Sequence, residues 1–313
     1  MKKVIALIMA LAIVLCCFAG CGKTKLRFVT GGEGGTYYQF GSQLANHASN
    51  NTKVNITAIS GAGSKTNCDA LKGSSAELAF CQSDVMAYAY NGERLFAEEG
   101  AITNFSTVAA LYLEQVQIVT LDPEIKSVSD LKDKKVSIGA NGSGVYFNAI
   151  DILGVYGLTD KDIKPTYESF NDSAESLKDG QIDAAFVVAG APTGAIDALA
   201  AEKDVYLVSL DDEHIEKLSD VYTKDVIKAG TYKIKEDVTT VGVGAVILAR
   251  DDVSEDAVYA FVKDIFDNAE SLVDTHAKYG ELSLEYTSSI KSVPYHAGAV
   301  KYFAEKGITV TGK

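Results

Sequence analysis

Thr30-Gly31-Gly32-Glu33-Gly34-Gly35-Thr36-Tyr37-Tyr38 joins a short apolar strand, Leu26-Arg27-Phe28-Val29, to a helix. The helix is read from Tyr37, Phe40, Gly41, Leu44, Ala45 and Ala48, which recur at three- and four-residue intervals on one face. A glycine-rich turn at such a junction leaves backbone N–H groups unpaired at the positive end of the helix dipole, a setting that favours a carboxylate or phosphate. A single turn of this kind can also be glycine-rich only because its backbone needs positive φ. Repetition favours the functional reading, because strand, small-residue loop and helix start recur about five times along the chain.

The second occurrence is a strand over residues 54–60, then Gly61-Ala62-Gly63-Ser64 and a helix closed by Gly73. The third is a strand over 77–81 followed by Gln82-Ser83-Asp84, with Ser83 the expected N-cap. Strand-like segments over 106–113 and 116–121 lead to a fresh series. Its loops are Ala140-Asn141-Gly142-Ser143-Gly144, before a helix over 145–156, and Ala189-Gly190-Ala191-Pro192, with Pro192 at the expected first helical position. Between these two, a strand over 165–169 precedes a helix over 172–178; after them, an acidic irregular stretch over 211–237 precedes a strand over 241–249 and helices over 256–269 and 270–279.

Strands alternating with helices imply parallel sheets covered on both faces. Two series exceed one comfortable sheet, so the pattern predicts an α/β fold of two lobes, the second inserted in the first, with two crossing segments as the hinge. The expected division is a leader at 1–20, the first lobe at 21–118, the second at 119–242 and a return to the first at 243–313. Ligands of open α/β sheets sit beyond the carboxyl ends of the strands. The loops named above lie at those ends, and two facing lobes would ring a cleft with helix N-termini.

The 313 residues are 47% hydrophobic and 23% charged, ordinary for a folded chain. Lys2 and Lys3 precede an apolar run that ends at Phe18-Ala19-Gly20-Cys21, the charge pattern of a signal peptide with a lipobox-like end. Cleavage before Cys21 would make it a lipidated first residue and place the domain outside the cytoplasmic membrane as a lipid-anchored protein. Cys68 and Cys81 are then the remaining thiols; an oxidising compartment permits a disulfide, and both positions also suit a small core residue. Without the leader the chain has 27 basic against 42 acidic residues, or −15, which argues against nucleic acid as a partner.

The loops offer backbone N–H groups, hydroxyls and amides, and none of Arg27, Arg94 and Arg250 lies in them. A carboxylate would be held by dipoles and neutral hydrogen bonds rather than by a guanidinium fork. Asp84 can either complement its own helix N-terminus or accept from a ligand amine or hydroxyl. Tyr38, off the apolar stripe, is expected to face the cleft, and Tyr37 the core. No GxSxG elbow, HExxH or Walker loop occurs, and His47, His214, His276 and His296 are scattered without metal-ligand spacing. A ring of donors without a nucleophile and base reads as a non-enzymatic binder with no cofactor.

Taken together, Gly31 to Tyr38, Ser60 to Ser64, Gln82-Ser83-Asp84, residues 130–144, Val187 to Pro192, Ala229-Gly230-Thr231-Tyr232 and Pro294 to Ala299 resemble, in order, the TAXI family. Its members are extracytoplasmic solute receptors of tripartite ATP-independent periplasmic (TRAP) transporters. The resemblance implies a type II periplasmic-binding-protein fold, each lobe a mixed sheet flanked by helices, acting as a monomer. It further implies capture of a glutamate-, glutamine- or 2-oxoglutarate-like anion or amino acid and delivery to a sodium-driven permease of fused small and large subunits. Carried onto this chain, its ligand residues are Gly35, Thr36, Tyr38, Ser60, Gly63, Ser64, Gln82 and Asp84 on the first lobe, with Ser143, Gly144 and Pro192 on the second. Glu33 stands where the family more often has a small or hydroxyl residue, which would oppose a dianion and suit an amine. The alternatives are a receptor of an ABC importer for sulfonates or thiamine precursors, or a solute sensor.

Overall fold

In Thr24–Val29 (β1) Leu26 and Phe28 are buried while Lys25 and Arg27 face water, the period-two alternation of a strand. The computed structural model describes residues 22–313; the leader and Cys21 lie outside the described residues. After β1 the chain forms a helix, Thr36–Asn51 (α1), whose buried side is the stripe Tyr37, Phe40, Gly41, Leu44, Ala45 and Ala48. Two more units follow: Val54–Ile59 (β2) with Ser64–Lys72 (α2), and Leu78–Gln82 (β3) with Ser83–Asn91 (α3). The third helix begins at Ser83 itself, with Gln82 as N-cap; the Ser83 hydroxyl instead accepts from the Gly244 N–H at 2.9 Å.

Residues 106–121, which the sequence suggests as two strands, form one of sixteen residues, Phe105–Thr120 (β4). The second series comprises Lys135–Ser137 (β5), Val145–Val155 (α4), Lys164–Thr166 (β6), Phe170–Lys178 (α5), Ala184–Ala189 (β7) and Gly194–Glu202 (α6). Tyr206–Leu207 (β8) pairs with β4, and the acidic stretch contributes Thr223–Ile227 (β9), which pairs with Val238–Arg250 (β10). Helices Glu255–Asp267 (α7) and Ala297–Glu305 (α8) close the first lobe. The helix expected over 270–279 is instead a short turn, Ala269–Leu272, and a 3-10 turn, Ala277–Glu281, where His276 Nδ1 accepts from the Lys278 N–H and breaks the helical ladder.

The sheet order is β2-β1-β3-β10-β4-β7-β5-β6. The triads β2-β1-β3 and β7-β5-β6 are internally parallel, whereas β10 and β4 run antiparallel to each other and to their outer neighbours. The sheet is therefore mixed, because the two strands that carry the chain between lobes must traverse it in opposite directions. Period-two alternation covers both faces. Leu78 and Phe80 enter one cluster with Phe28, Phe40 and Phe261, while Ala79 and Cys81 enter another with Val85, Phe105 and Leu248. In the second lobe Phe186 and Val188 pack with Val136 and Ile152, and Val187 and Ala189 with Ile196 and Leu199. Each fully buried large side chain contributes about 1.5–3 kcal/mol. Cys68 and Cys81 are free thiols, both fully buried, with their sulfurs 3.5 Å apart.

Candidate functional site

Glycine and serine loops at the ends of β1, β2 and β3 face the loop before α4 and the β6–α5 connection across a cavity of about 80 Å³. A water needs roughly 10–15 Å³ on this measure, so the space admits a solute of only a few atoms' breadth. The starts of α1, α2 and α4 converge on it, capped by Gly35, Gly63 and Gly144. None of these caps has a side-chain hydrogen bond to its first turn. Most N–H groups of the first turns are thus left for other acceptors. Two are engaged: the Thr66 N–H donates to the Gly142 carbonyl of the facing lobe at 3.1 Å, and the Phe147 N–H to the Gly144 carbonyl at 3.1 Å. Gly63 has a φ of +125°, and a Cβ there would lie 3.0 Å from Ser143 Cα, so both its conformation and the approach of the two lobes require glycine.

Of the positions expected to meet ligand, Gly35, Thr36, Gly63, Ser64, Gln82, Ser143 and Gly144 line the cavity; Tyr38, Ser60, Asp84 and Pro192 do not. Tyr37 stands where Tyr38 was expected. The buried face of α1 abuts the cavity at its first turn, so a position on the apolar stripe is also a position on the site. Ser60 is exposed, and its hydroxyl donates to the Gly31 carbonyl at 3.2 Å. Pro192 is exposed and precedes the Thr193 N-cap of α6, so the helix opens two residues later than the proline suggested. The Glu33 side chain is exposed and outside the lining.

Two acidic side chains that the sequence reading did not single out line the cavity. Glu114 is the one charged residue of β4, a carboxyl in an otherwise uncharged strand, and that anomaly is its signal. It is 2% exposed, and Tyr37 Oη donates to its Oε2 at 2.8 Å. Burial pushes its carboxyl well above the ordinary range, opposed by the Tyr37 hydroxyl and Lys278 and reinforced by Asp84. Glu168, in the β6–α5 connection, has a buried Oε2 with no protein partner. Nothing in its local pattern marks it. Ser143 is 5% exposed, and its hydroxyl is likewise unpartnered.

The lobes are closed on each other. Thr36 Oγ1 donates to the Gly190 carbonyl at 2.8 Å, the Ala195 N–H to the Gly34 carbonyl at 3.1 Å, and Gln82 Nε2 to Asn148 Oδ1 at 2.8 Å. Asp84 belongs to this seam rather than to the cavity: Asn148 Nδ2, on α4, donates to its Oδ2 at 3.0 Å and also to Tyr222 Oη. Its carboxyl, fully buried, is raised to about 6 chiefly by that burial. The native state therefore keeps a proton that the unfolded chain has lost between about pH 4 and 6. Stability contributed at this group is fully present at low pH and falls as pH rises through that window, by on the order of 3 kcal/mol. Asp84→Asn keeps an acceptor for Asn148 and removes the charge. Urea titrations from pH 4 to 8 should show the variant gaining about 1–3 kcal/mol over wild type at pH 7.5 and losing the slope between pH 4 and 6. An unchanged slope would assign it to another group.

A protein-family model matches residues 28–307. The chain belongs to the NMT1-like family. Among solved structures, this NMT1-like protein is similar to the alkanesulfonate-binding protein SsuA from Xanthomonas axonopodis pv. citri bound to MOPS, at 17% identity over 91% of this chain and 85% of that one, TM-score 0.50. It is also similar to an ancestral arginine-binding protein bound to arginine, at 15% identity over 84% and 98%, TM-score 0.51. A third is the ligand-binding component of an ABC-type import system from Staphylococcus aureus with zinc bound, at 12% identity over 92% and 94%, TM-score 0.55. At these identities the likeness is one of fold: a two-lobed, type II periplasmic-binding-protein architecture. The solute-binding-protein architecture implied by the sequence resemblance is thereby met, while the TRAP subclass is not singled out by any of these similarities.

Proposed function

We propose that this NMT1-like protein is an extracytoplasmic receptor that closes its two lobes over a small organic solute and hands it to a membrane transporter. The observation that carries the reading is the cavity itself. It lies between lobes tied by cross-lobe hydrogen bonds and is lined by three uncapped helix starts. Such an arrangement holds a carboxylate or sulfonate by backbone dipoles. The hydroxyls that face it, Ser64 and Ser143, have no histidine within hydrogen-bond reach: Ser64 Oγ is engaged with Gln82, and Ser143 Oγ with no protein group. That arrangement supports capture over hydrolysis.

The leader and Cys21 support delivery outside the cytoplasmic membrane on a lipid anchor, and among the described residues no helix is long and apolar enough to cross a membrane. For the transporter, the solved neighbours favour an ABC importer, since the S. aureus protein is a component of one and the Xanthomonas protein binds alkanesulfonate. The ordered loop motifs favour a TRAP permease. Uptake by vesicles carrying a reconstituted candidate permease separates these by dependence on ATP or on a sodium gradient. A receptor that signals instead supports neither.

Capture is tested by unfolding and refolding the purified protein to release co-purified solute, then melting it with amino acids, 2-oxo and dicarboxylic acids, and sulfonates. A ligand at a hundred times its Kd should stabilise the protein by about 2.7 kcal/mol, a shift of several degrees. A flat melting temperature across the whole panel would overturn the receptor reading.

A further inference from the structure

We infer that Glu114 and Glu168 make the site selective for a solute with an ammonium group beside its acid group, and that the same solute with hydroxyl or oxo in place of the amine is rejected. The inference rests on the receptor reading above and names the chemistry that its cavity takes. Two facts about the lining carry it. Its only ionisable side chains besides Tyr37 are these two carboxyls, with no lysine, arginine or histidine among the described residues that form it. Each also has capacity to spare: Glu168 Oε2 is buried with no partner, and Glu114 receives one hydrogen bond, from Tyr37.

The cation that acts on Glu114, Lys278, is committed elsewhere. Lys278 Nζ lies 2.5 Å from Glu281 Oε1 and 3.1 Å from the Ala191 carbonyl. A second acid on the ligand placed against Glu114 would bury two carboxyls face to face. An ammonium there would supply a donor to the remaining acceptor capacity of these carboxyls. The same lining supplies a place for the acid group, with the buried, unpartnered hydroxyl of Ser143 beside the uncapped start of α4. A buried polar group left unmatched is the means by which a site rejects an analogue that lacks the matching group, and discrimination of this kind is far stronger than a methylene gives.

The groups around Glu114 are Tyr37 on α1, Tyr112 on its own strand, Asp84 on α3, and Lys278 and Tyr286 from the C-terminal turns. Burial leads among their effects and raises the carboxyl above its ordinary range. An ammonium beside it acts in the opposite sense and favours the ionised form.

The experiment is calorimetry on the purified, ligand-stripped protein with matched pairs that differ only at one carbon: L-glutamate with (S)-2-hydroxyglutarate and 2-oxoglutarate, and L-alanine with L-lactate and pyruvate. Wild type should prefer the amine of a binding pair by at least 100-fold. Glu114→Gln, which keeps an acceptor for Tyr37, should shrink the preference below 10-fold. Glu168→Gln, on a connection outside the core, should shrink it without changing the melting temperature. A hydroxy or oxo acid that binds as tightly as its amine overturns the inference and leaves the receptor reading intact. Binding of a sulfonate without an amine does the same. Binding of none of the compounds, sulfonates included, overturns the receptor reading and this inference with it.

Discussion

Replacing Gly144 by alanine should lower ligand affinity by at least about 100-fold while both lobes stay folded, which corresponds to about 2.7 kcal/mol of lost binding free energy. The argument is steric and local. Gly144 caps α4 with an unstrained backbone, φ −75° and ψ −21°, so alanine is conformationally acceptable within its own lobe. A Cβ at this position would lie 1.3 Å from Gln82 Oε1, 2.5 Å from Gln82 Cδ and 2.9 Å from Ser64 Oγ, all on the facing lobe. The Gln82 amide cannot step aside cheaply, because its Nε2 donates to Asn148 and its backbone N–H to Ser64 Oγ. The added methyl is therefore a wedge in the seam, and the cost falls on closure. Calorimetry should report the affinity loss, and small-angle scattering should show that ligand no longer contracts the molecule. Wild-type affinity in this variant would show that ligand is held without the closed contact.

Phe80→Ala carries the largest expected effect on stability, a loss of about 3–5 kcal/mol against a total that is typically 5–15. Phe80 is fully buried in the middle of β3, with its ring stacked between Phe28 at 5.0 Å and Tyr37 at 4.4 Å. Truncation removes both faces of the stack and leaves a cavity that the strand and α1 cannot collapse into without moving the sheet. The damage also reaches the site, since Tyr37 donates to Glu114 and would lose the ring that holds its plane. Urea denaturation should show the midpoint falling at an unchanged slope, and calorimetry on the folded fraction a weaker affinity. A stability loss below about 1 kcal/mol would mean that the core repacks around the gap.

Loop chemistry and periodicity made the units and their ligand-facing turns legible, because small residues at strand ends and an apolar stripe at helical spacing are local patterns. What spans the two lobes was not legible. Local sequence leaves Asp84 between its own helix and a ligand, yet its partner is Asn148, sixty-four residues further on, and no local pattern encodes which helix faces which across a cleft. Glu114 fell at the apparent gap between two strand-like segments, since a carboxyl interrupts an apolar run. In the fold that interruption is where a continuous strand passes the cavity, a place where burial and polarity coincide. The stripe places Tyr37 in the core, and it lies in the core and on the cavity wall at once. Pro192 was placed at the start of a helix that Thr193 caps instead.

The antiparallel pair β4–β10 runs unbroken through both lobes, with register shifts at Ala245/Val246 and Ile247/Leu248, and Glu114 lies opposite Val243 within it. A point on a pivot travels least when the arms swing. Glu114 therefore keeps nearly the same position whether the arms are apart or together, whereas Ser143 and Gly144 travel with the far arm. Arrival of a solute then separates into an anchoring event at the pivot and a later clasp by the moving arm. Association should be nearly indifferent to Gly144→Ala and dissociation strongly accelerated by it, so that the hinge strand governs how often a solute lands and the far arm how long it stays.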